Sequence, residues 1–185
     1  MGNPETNPET KAENTQNRQS QEILHDASRH ISIRLAQAGD ENFIVEMVRQ
    51  LAQHEHSLQE VNATAKQLHD TLFVGGEAEC LIGMLNGVDC GIALFFRNFS
   101  SWEATSGLFL EDLFVKEQAR GHGLGRALLK ALAQLAKERG YARIEWACLD
   151  WNEPSLRFYK GIGAQVRKEW ILHRLDKSGI DQLLA

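Results

Sequence analysis

The sequence is short of basic residues, of cysteine and of long apolar runs, and each shortage excludes a class of protein. Its 20 lysines and arginines against 25 acidic residues give a net charge of -5, which argues against a general nucleic-acid binder. No stretch approaches the roughly 18 apolar residues that a membrane span needs. Three widely spaced cysteines suit neither a disulfide framework nor a zinc site, so we expect no metal. With no apolar signal region either, we expect a cytoplasmic protein.

The N-terminal residues 1–30 differ in composition from the rest of the chain. They are rich in Asn, Gln, Glu, Thr and Ser and show almost no apolar periodicity. Such a segment cannot bury enough apolar surface to offset the entropy lost on ordering. We therefore predict a flexible polar tail over residues 1–30, with a short helix near 22–27 as an alternative for its end. Residues 31–185 are long enough for one domain.

Strand and helix patterns alternate from Ile31 onwards. The first half predicts a strand from Ile31, a helix after Asp40, a second helix opened by the capping box Thr64–Gln67, and two strands joined by Asn86-Gly87. The second half predicts a strand over Leu108–Val115, a helix from Leu124 to Gly140 and a strand over Ile144–Leu149. A helix capped by Asn152 and a last strand over Val166–Leu175 complete the predicted order. This order predicts a mixed α/β fold.

A glycine-rich turn, Arg120-Gly-His-Gly-Leu-Gly125, joins a predicted strand to a predicted helix. Glycines permit a tight turn, and the free N–H groups at a helix start favour an anion. The spacing matches neither a Walker loop nor the dinucleotide fingerprint. It predicts a pyrophosphate cradle of backbone N–H groups, with positive charge from Arg120 and Arg126, at Gly121, His122, Gly123, Leu124 and Gly125. A plain glycine-rich turn is the alternative.

The segment Arg120-x-x-Gly123-x-Gly125 resembles the coenzyme A signature of the GNAT acetyltransferases, (Arg/Gln)-x-x-Gly-x-(Gly/Ala). Further segments are similar to the diamine (spermidine/spermine) N-acetyltransferase branch: Leu110-Glu-Asp-Leu-Phe-Val115, Trp151-Asn-Glu-Pro-Ser155, Phe158-Tyr-Lys160 and Gly163-Ala164. The resemblance runs from about Ile31 to the C-terminus. It implies a mixed central sheet with a splayed strand pair and flanking helices, acetyl-CoA as co-substrate, and a homodimer.

The resemblance also implies which residues hold the coenzyme. In the family, the strand before the loop pairs its backbone with the pantetheine arm, which places Leu113, Phe114 and Val115 there, with an N–H polarising the thioester carbonyl. The other implied coenzyme contacts are Asn152, Ser155, Phe158 and Lys160. Asn152 has a second and more direct interpretation as a helix cap.

Two adjacent carboxylates, Glu111 and Asp112, lie on the strand before the loop. A primary alkylamine with a pKa near lysine's, about 10.4, is mostly ammonium at pH 7 and must lose a proton before it attacks. Either carboxylate can bind the cation and accept its proton through water. A strand points neighbouring side chains to opposite faces, so only one should face the acetyl group unless a bulge intervenes. The resemblance favours Glu111 as base and Asp112 as amine ligand; ordinary strand-end carboxylates are the alternative.

Tyr159 is the candidate general acid. A phenol with a pKa of about 10 is protonated at neutral pH and can donate to a thiolate whose pKa is about 8.5. The residue follows Asn152 on a predicted helix, where the family places its acid. The alternative is a core aromatic beside Phe158.

Further candidates for binding the amine are Glu55, Trp102 and Glu153. The diamine branch has an acidic residue flanked by tyrosines at the place that matches Glu55, but here His54 and His56 flank it, which weakens the prediction of polyamine specificity. Trp102 lines the amine pocket or covers the core. Glu153 belongs to the Trp-Asn-Glu-Pro segment of the resemblance.

Together these observations predict an N-acetyltransferase. It transfers the acetyl group of acetyl-CoA directly, in a ternary complex, to the primary amine of a small cationic substrate: a diamine or polyamine, or a thialysine-like aminoalkyl compound. One alternative is a GNAT enzyme for another amine, an aminoglycoside or a protein lysine. The other is a non-catalytic acyl-CoA-binding module, against which Tyr159 and both carboxylates argue. Neither nucleic acid nor membrane is an expected partner.

Overall fold

A computed structural model describes residues 22–185 of the chain, so most of the predicted tail lies outside the described residues. The chain divides into two compact units, the first ending at Ala147 and the second running from Cys148 to Ala185. None of the helices formed by residues 22–185 combines the length and the apolarity that a membrane span requires.

The first unit is built on a six-stranded sheet. Its strands are β1 (Glu22–Asp26), β2 (Ile31–Leu35), β3 (Glu79–Leu85), β4 (Val88–Ser100), β5 (Thr105–Val115) and β6 (Ile144–Trp146). They lie side by side in chain order, and every neighbouring pair is antiparallel except β5 and β6, which are parallel. The predicted mixed α/β class is therefore confirmed.

Helices cover both faces of this sheet. On one face lie α1 (Glu41–His54) and α2 (Ala65–His69), the second of which continues as a π-helical turn over Asp70–Gly75. Their apolar side chains pack with strand residues in a cluster that contains Ile44, Met47, Leu72, Cys80, Ile92 and Phe114. On the other face, α3 (Leu124–Glu138) approaches the strands closely at Gly83 and Gly91, where an added Cβ would lie 3.0–3.1 Å from leucine methyls of the helix.

Several local predictions are confirmed at their residues. Asn86 and Gly87 take positive φ values of 52° and 77° in the β3–β4 turn, as that dipeptide favours. Thr64 and Gln67 form both halves of a capping box at the start of α2. Asp40 precedes α1 as predicted, but its side chain makes no cap hydrogen bond. Its carboxylate accepts instead from the buried guanidinium of Arg34, at 2.6 and 3.0 Å.

The structure corrects the predicted start of the ordered chain. Residues 22–26 form a strand, neither a tail nor a helix, and pair antiparallel with β2. A short 3₁₀ turn over Ala27–Arg29 then leads into β2. An edge strand is stabilised by its neighbour's backbone, so it needs little of the apolar alternation by which strands are recognised in a sequence.

The second unit contains α4 (Glu153–Gly161) and α5 (Lys177–Leu183). Asn152 caps α4 as predicted, because its Oδ1 accepts from the N–H of Ser155 at 3.2 Å. The predicted last strand over Val166–Leu175 is wrong: the segment is irregular, and α5 follows it unpredicted. Alternating apolar residues indicated a strand, but a strand also needs a hydrogen-bonded neighbour, and the six strands of the described sheet do not include this segment.

Candidate active site

A β-bulge lies at the two adjacent carboxylates of β5. Leu94 on β4 pairs with Asp112, while the next residue of β4, Phe95, pairs with Leu110. Glu111 is therefore the extra residue, and the strict alternation of side chains is broken at this point. Glu111 is exposed and Asp112 is half-buried. The bulge is the exception that the sequence analysis left open.

Asp112 lies on the face of the sheet that α1 covers. Its cross-strand neighbour Leu94 pairs in turn with Cys80, and both pack in the apolar cluster under α1. Burial, followed by the negative charges of Glu111 and Glu55, raises the pKa of Asp112 to about 6. The side chain is thus a carboxylate held in surroundings that oppose its charge.

Glu55 reaches this place from the C-terminal end of α1, where it is the capping residue. Burial raises the pKa of its carboxyl, against the opposing effect of His54. The structure therefore brings three of the predicted residues together, and we call Glu55, Glu111 and Asp112 the carboxylate cluster. A cluster of like charges in partly buried surroundings favours a cationic ligand, because the ligand offsets the mutual repulsion.

Strands β5 and β6 separate beside the cluster. Their parallel pairing joins only Leu108–Leu110 to Ile144–Trp146, whereas β5 continues to Val115. Beyond Leu110, and within the described residues 22–185, β5 thus has a backbone edge without a strand partner on that side. This edge runs over the residues predicted to meet the pantetheine arm: Leu113, Phe114 and Val115. This is the splayed pair that the resemblance implied.

The glycine loop follows β5 and a 3₁₀ turn over Glu117–Ala119. Gly121 and Gly123 have φ values of 82° and 90°, a region that favours glycine, and α3 begins at Leu124. Arg120 donates from Nε to the carbonyl of Val115 at 3.0 Å, and its guanidinium lies 5.5 Å from the ring centroid of Phe114. Arg120 therefore ties the loop to the end of β5.

The loop presents free backbone N–H groups at the place where the pyrophosphate cradle was predicted. The first N–H groups of a helix have no intrahelical acceptor, and in α3 they belong to Leu124, Gly125 and Arg126. An added Cβ at Gly121 would meet no atom within 4 Å, so the backbone is open to an approaching ligand there. His122 lies between the two left-handed glycines.

The second unit carries the remaining coenzyme and acid candidates on α4. Ser155, Phe158 and Tyr159 are half-buried, and their spacing of three and four residues places them on one side of the helix. Glu153 and Lys160 are exposed, and Glu153 Oε2 lies 3.6 Å from Arg157 Nη1. Asn152 is buried, with 7% of its surface exposed, as its capping role requires.

Trp102 is not brought to the carboxylate cluster within one copy of the chain. It lies at the tip of the β4–β5 hairpin and is 86% exposed. Along β4, the last pair of the hairpin, Ser100–Thr105, lies six positions beyond the pair Leu94–Asp112, a distance of about 20 Å at the rise of a β-strand.

The described part of the chain shows no metal site, and its two buried thiols are unreactive. Among residues 22–185, no group of three or more His, Cys, Asp or Glu side chains is arranged to hold a metal ion. Cys80 and Cys90 are buried, and burial raises the pKa of both thiols, which keeps them protonated and unreactive.

Sequence reasoning missed one residue next to the glycine loop, Arg29. It was assigned to the tail, but the structure places its guanidinium over Gly123. No signal in the composition of residues 1–30 marks this arginine, because its position depends on the pairing of β1 with β2.

Comparisons with known proteins identify the family of the chain. Residues 33–164 match the sequence model of the Acetyltransferase (GNAT) family. The chain is 46% identical over 88 residues to L-ornithine N5-acetyltransferase NATA1 of Arabidopsis thaliana, an alignment that covers 48% of this chain and 39% of the plant protein. It is 29% identical over 167 residues to thialysine N-epsilon-acetyltransferase of Bos taurus, covering 83% of this chain and 96% of the bovine protein.

A solved structure shows the same fold. The integron cassette protein VCH_CASS6 from the mobile metagenome of V. cholerae superposes with a TM-score of 0.70 at 23% identity. The superposition covers 84% of this chain and 98% of that one.

Proposed function

This chain belongs to the acetyltransferase (GNAT) family and is an amine N-acetyltransferase, and we propose that it acetylates the primary amine of a small aminoalkyl cation directly from acetyl-CoA, in a ternary complex. The observation that carries the proposal is the half-buried carboxylate Asp112 beside Glu111 and Glu55. These residues offer a cationic substrate a binding site at the bulge of β5.

Asp112 is the proposed ligand of the ammonium group. Burial and two neighbouring carboxylates make its negative charge unfavourable in the free protein. A bound ammonium offsets that repulsion, so the site favours cations over neutral molecules of the same shape. Glu55, on the last turn of α1, supplies a second negative charge for a substrate with two amines.

Glu111 is the proposed base. The bulge leaves this carboxylate exposed beside Asp112, where water can reach it and carry the amine's proton to it. The two carboxylates then have separate tasks: Asp112 holds the cation and Glu111 accepts its proton.

The coenzyme is held by the glycine loop in this proposal. The backbone N–H groups of Gly121–Arg126 bind its pyrophosphate, and the strand-free edge of β5 over Leu113–Val115 binds its pantetheine arm. Asn152 is a further proposed contact. Bound acetyl-CoA supplies the acetyl group as an activated thioester. Tyr159 is the proposed proton donor to the leaving thiolate, because a phenol is protonated at neutral pH. Ser155, Phe158 and Lys160 of α4 complete the proposed coenzyme contacts.

The acceptor class follows from the cluster and from the relatives. Two relatives are named for acting on thialysine and on L-ornithine, which both carry a primary amine at the end of a short side chain. The three carboxylates suit such an amine, and they also suit a diamine. His54 and His56 stand beside Glu55 where the diamine branch has tyrosines, so we propose the amino-acid-like acceptors first and the polyamines second.

A homodimer is part of the proposal. In the second unit Trp170, Ile171 and Leu172 are 63%, 78% and 76% exposed. Adjacent exposed apolar side chains of this size are typical of surfaces that another protein covers. A cytoplasmic location stays a prediction.

The test is release of coenzyme A from acetyl-CoA with a panel of thialysine, ornithine, lysine, putrescine, spermidine and an aminoglycoside. We expect turnover with the first three and loss of that turnover in Asp112→Asn. The matched control is Asp70→Asn, an exposed aspartate that pairs with Lys66 on the surface. No turnover with any amine, together with tight binding of acetyl-CoA, would contradict the proposal and favour a binding module.

A further inference from the structure

A cavity of about 570 Å³ opens beside the glycine loop. It lies between the turn that precedes β2, the turn of the β3–β4 hairpin and the loop itself, and its lining residues are Ser28, Arg29, His30, Leu85, Asn86, Gly121, His122 and Gly123.

The polar lining of this cavity carries the positive charge of Arg29. It contains Arg29 and the two histidines His30 and His122, and none of its lining residues is acidic. The whole chain carries a net charge of -5, so this sign is opposite to that of the protein. A cavity with an arginine, two histidines and the backbone of a glycine loop is suited to a phosphate group.

Arg29 is seated directly on the loop. An added Cβ at Gly123 would lie 2.7 Å from Nη1 of Arg29, which is closer than any side chain tolerates. A side chain at this position would therefore push the guanidinium, the end of a flexible side chain, away from the loop backbone. On its other side, Nε of Arg29 lies 3.8 Å from Oδ2 of Asp26, and 58% of the arginine side chain stays exposed.

The segment that supplies Arg29 lies outside the part of the chain that matches the family. The family match begins at residue 33, whereas β1 and the turn over Ala27–Arg29 precede it. Pairing of β1 with β2 fixes this turn next to the loop. The residue that contacts the loop therefore precedes the family match.

We propose that Arg29 binds a phosphate group of the coenzyme in this cavity, next to the cradle formed by the glycine loop. The inference rests on the proposed function, because it takes acetyl-CoA as the ligand of the loop. A guanidinium presents a planar fork of donors that matches two phosphate oxygens, so Arg29 adds a charge-assisted contact that the loop backbone alone does not supply.

The experiment measures binding of coenzyme A to the full chain by calorimetry, without any amine and without turnover. Arg29→Gln removes the charge and keeps most of the side chain. We expect this variant to bind coenzyme A roughly tenfold more weakly, because one charge-assisted hydrogen bond is lost. Arg49→Gln is the matched control, because Arg49 is an exposed arginine on α1, on the opposite face of the sheet from α3.

A second ligand, 3′-dephospho-coenzyme A, identifies the phosphate. If Arg29 binds the 3′-phosphate, the wild type and Arg29→Gln bind this ligand equally. If Arg29 binds the pyrophosphate, the substitution weakens both ligands by the same factor. Both results support the proposal and assign the contact.

Equal binding of coenzyme A by the wild type and a folded Arg29→Gln would overturn the proposal. The Arg29→Met variant serves if the glutamine variant does not fold: it keeps the apolar stem and removes the charge, so weaker binding supports the contact and unchanged binding overturns it. A wild type that binds no coenzyme A would instead overturn the proposed function itself. The two failures are therefore distinguishable.

Discussion

The carboxylate cluster is the proposed site for a cation and the glycine loop the proposed site for an anion, and the two are built in opposite ways. The cluster consists of acidic side chains, one of which is half-buried with a pKa raised to about 6. The loop consists of backbone, with glycines in left-handed conformations and the start of a long helix. Burial makes the negative charge of the cluster unfavourable, whereas the start of α3 makes the glycine loop favourable for an anion.

This difference predicts opposite effects of substitution on stability. Removing charge from the cluster should relieve repulsion in the free protein, so the protein becomes more stable as it loses function. Substituting the loop should strain the backbone, so stability and function fall together. Unfolding measurements on variants of each region can therefore distinguish the cluster, which reduces stability, from the loop, which contributes to it.

The largest effect is expected from Tyr159→Phe, which belongs to neither region. If the phenol protonates the leaving thiolate, the variant should lose roughly a hundredfold or more in kcat, while coenzyme A binding stays as in the wild type. Initial rates and calorimetry on the same samples check this. Unchanged turnover would remove Tyr159 from the chemistry.

Glu111→Gln should also lower kcat, by roughly a hundredfold, because the proton acceptor is removed. Activity should recover at higher pH, where more of the amine is already neutral. A pH–rate profile beside that of Glu46→Gln, an exposed glutamate of α1, checks the assignment. A profile with the wild-type shape and height would show that Glu111 is not the base.

Asp112→Asn should stabilise the free protein while it weakens amine binding. A carboxyl whose pKa is raised from 3.8 to about 6 reduces stability at neutral pH by at most about 3 kcal/mol. The folded state binds that proton more tightly than the unfolded state, so the penalty is full above pH 6 and disappears as the pH falls towards 4.

Urea unfolding of both proteins at pH 7.5 and pH 4.5 measures this penalty. The gain in Asp112→Asn over the wild type should be present at pH 7.5 and largely lost at pH 4.5. A variant that is less stable than the wild type at pH 7.5 would contradict the claim that the charge of Asp112 destabilises the free protein.

Gly123→Ala should have the opposite sign. Its φ of 90° costs a residue with a Cβ about 1–2 kcal/mol, and the new methyl would displace Arg29. Gly140→Ala is the control, because Gly140 has a φ of 68° at the end of α3 and no atom within 4 Å of its Cβ position. Both variants should lose stability in thermal unfolding, but only Gly123→Ala should lose coenzyme A binding.

Local features of the fold were predictable because their causes are local. The Asn86-Gly87 turn, the capping box at Thr64 and the cap at Asn152 depend on a few consecutive residues, and all three are confirmed. The glycine loop was also recognised between its strand and its helix, because the left-handed turn requires the glycines themselves.

The missed features depend on partners that are distant in sequence. The bulge at Glu111 exists because β4 pairs with Asp112 and Leu110, and no residue of β5 alone signals it. Strand β1 is ordered by the edge of β2. Val166–Leu175 has the alternation of a strand but no neighbouring strand in the described sheet. The family resemblance implied that Glu55 and Asp112 both bind the amine. The raised pKa of Asp112 depends on its burial and its neighbours, which only the structure shows.

The most direct test of the account is an NMR titration of the Asp112 carboxyl, with the side chain labelled with ¹³C. The account predicts a pKa of about 6 in the free protein. Saturating thialysine or ornithine should lower that pKa, because the bound ammonium offsets the charges of Glu111 and Glu55. An ordinary aspartate pKa in the free protein, or a raised pKa that does not move when the amine binds, would contradict the claim that this carboxylate cluster is the amine site.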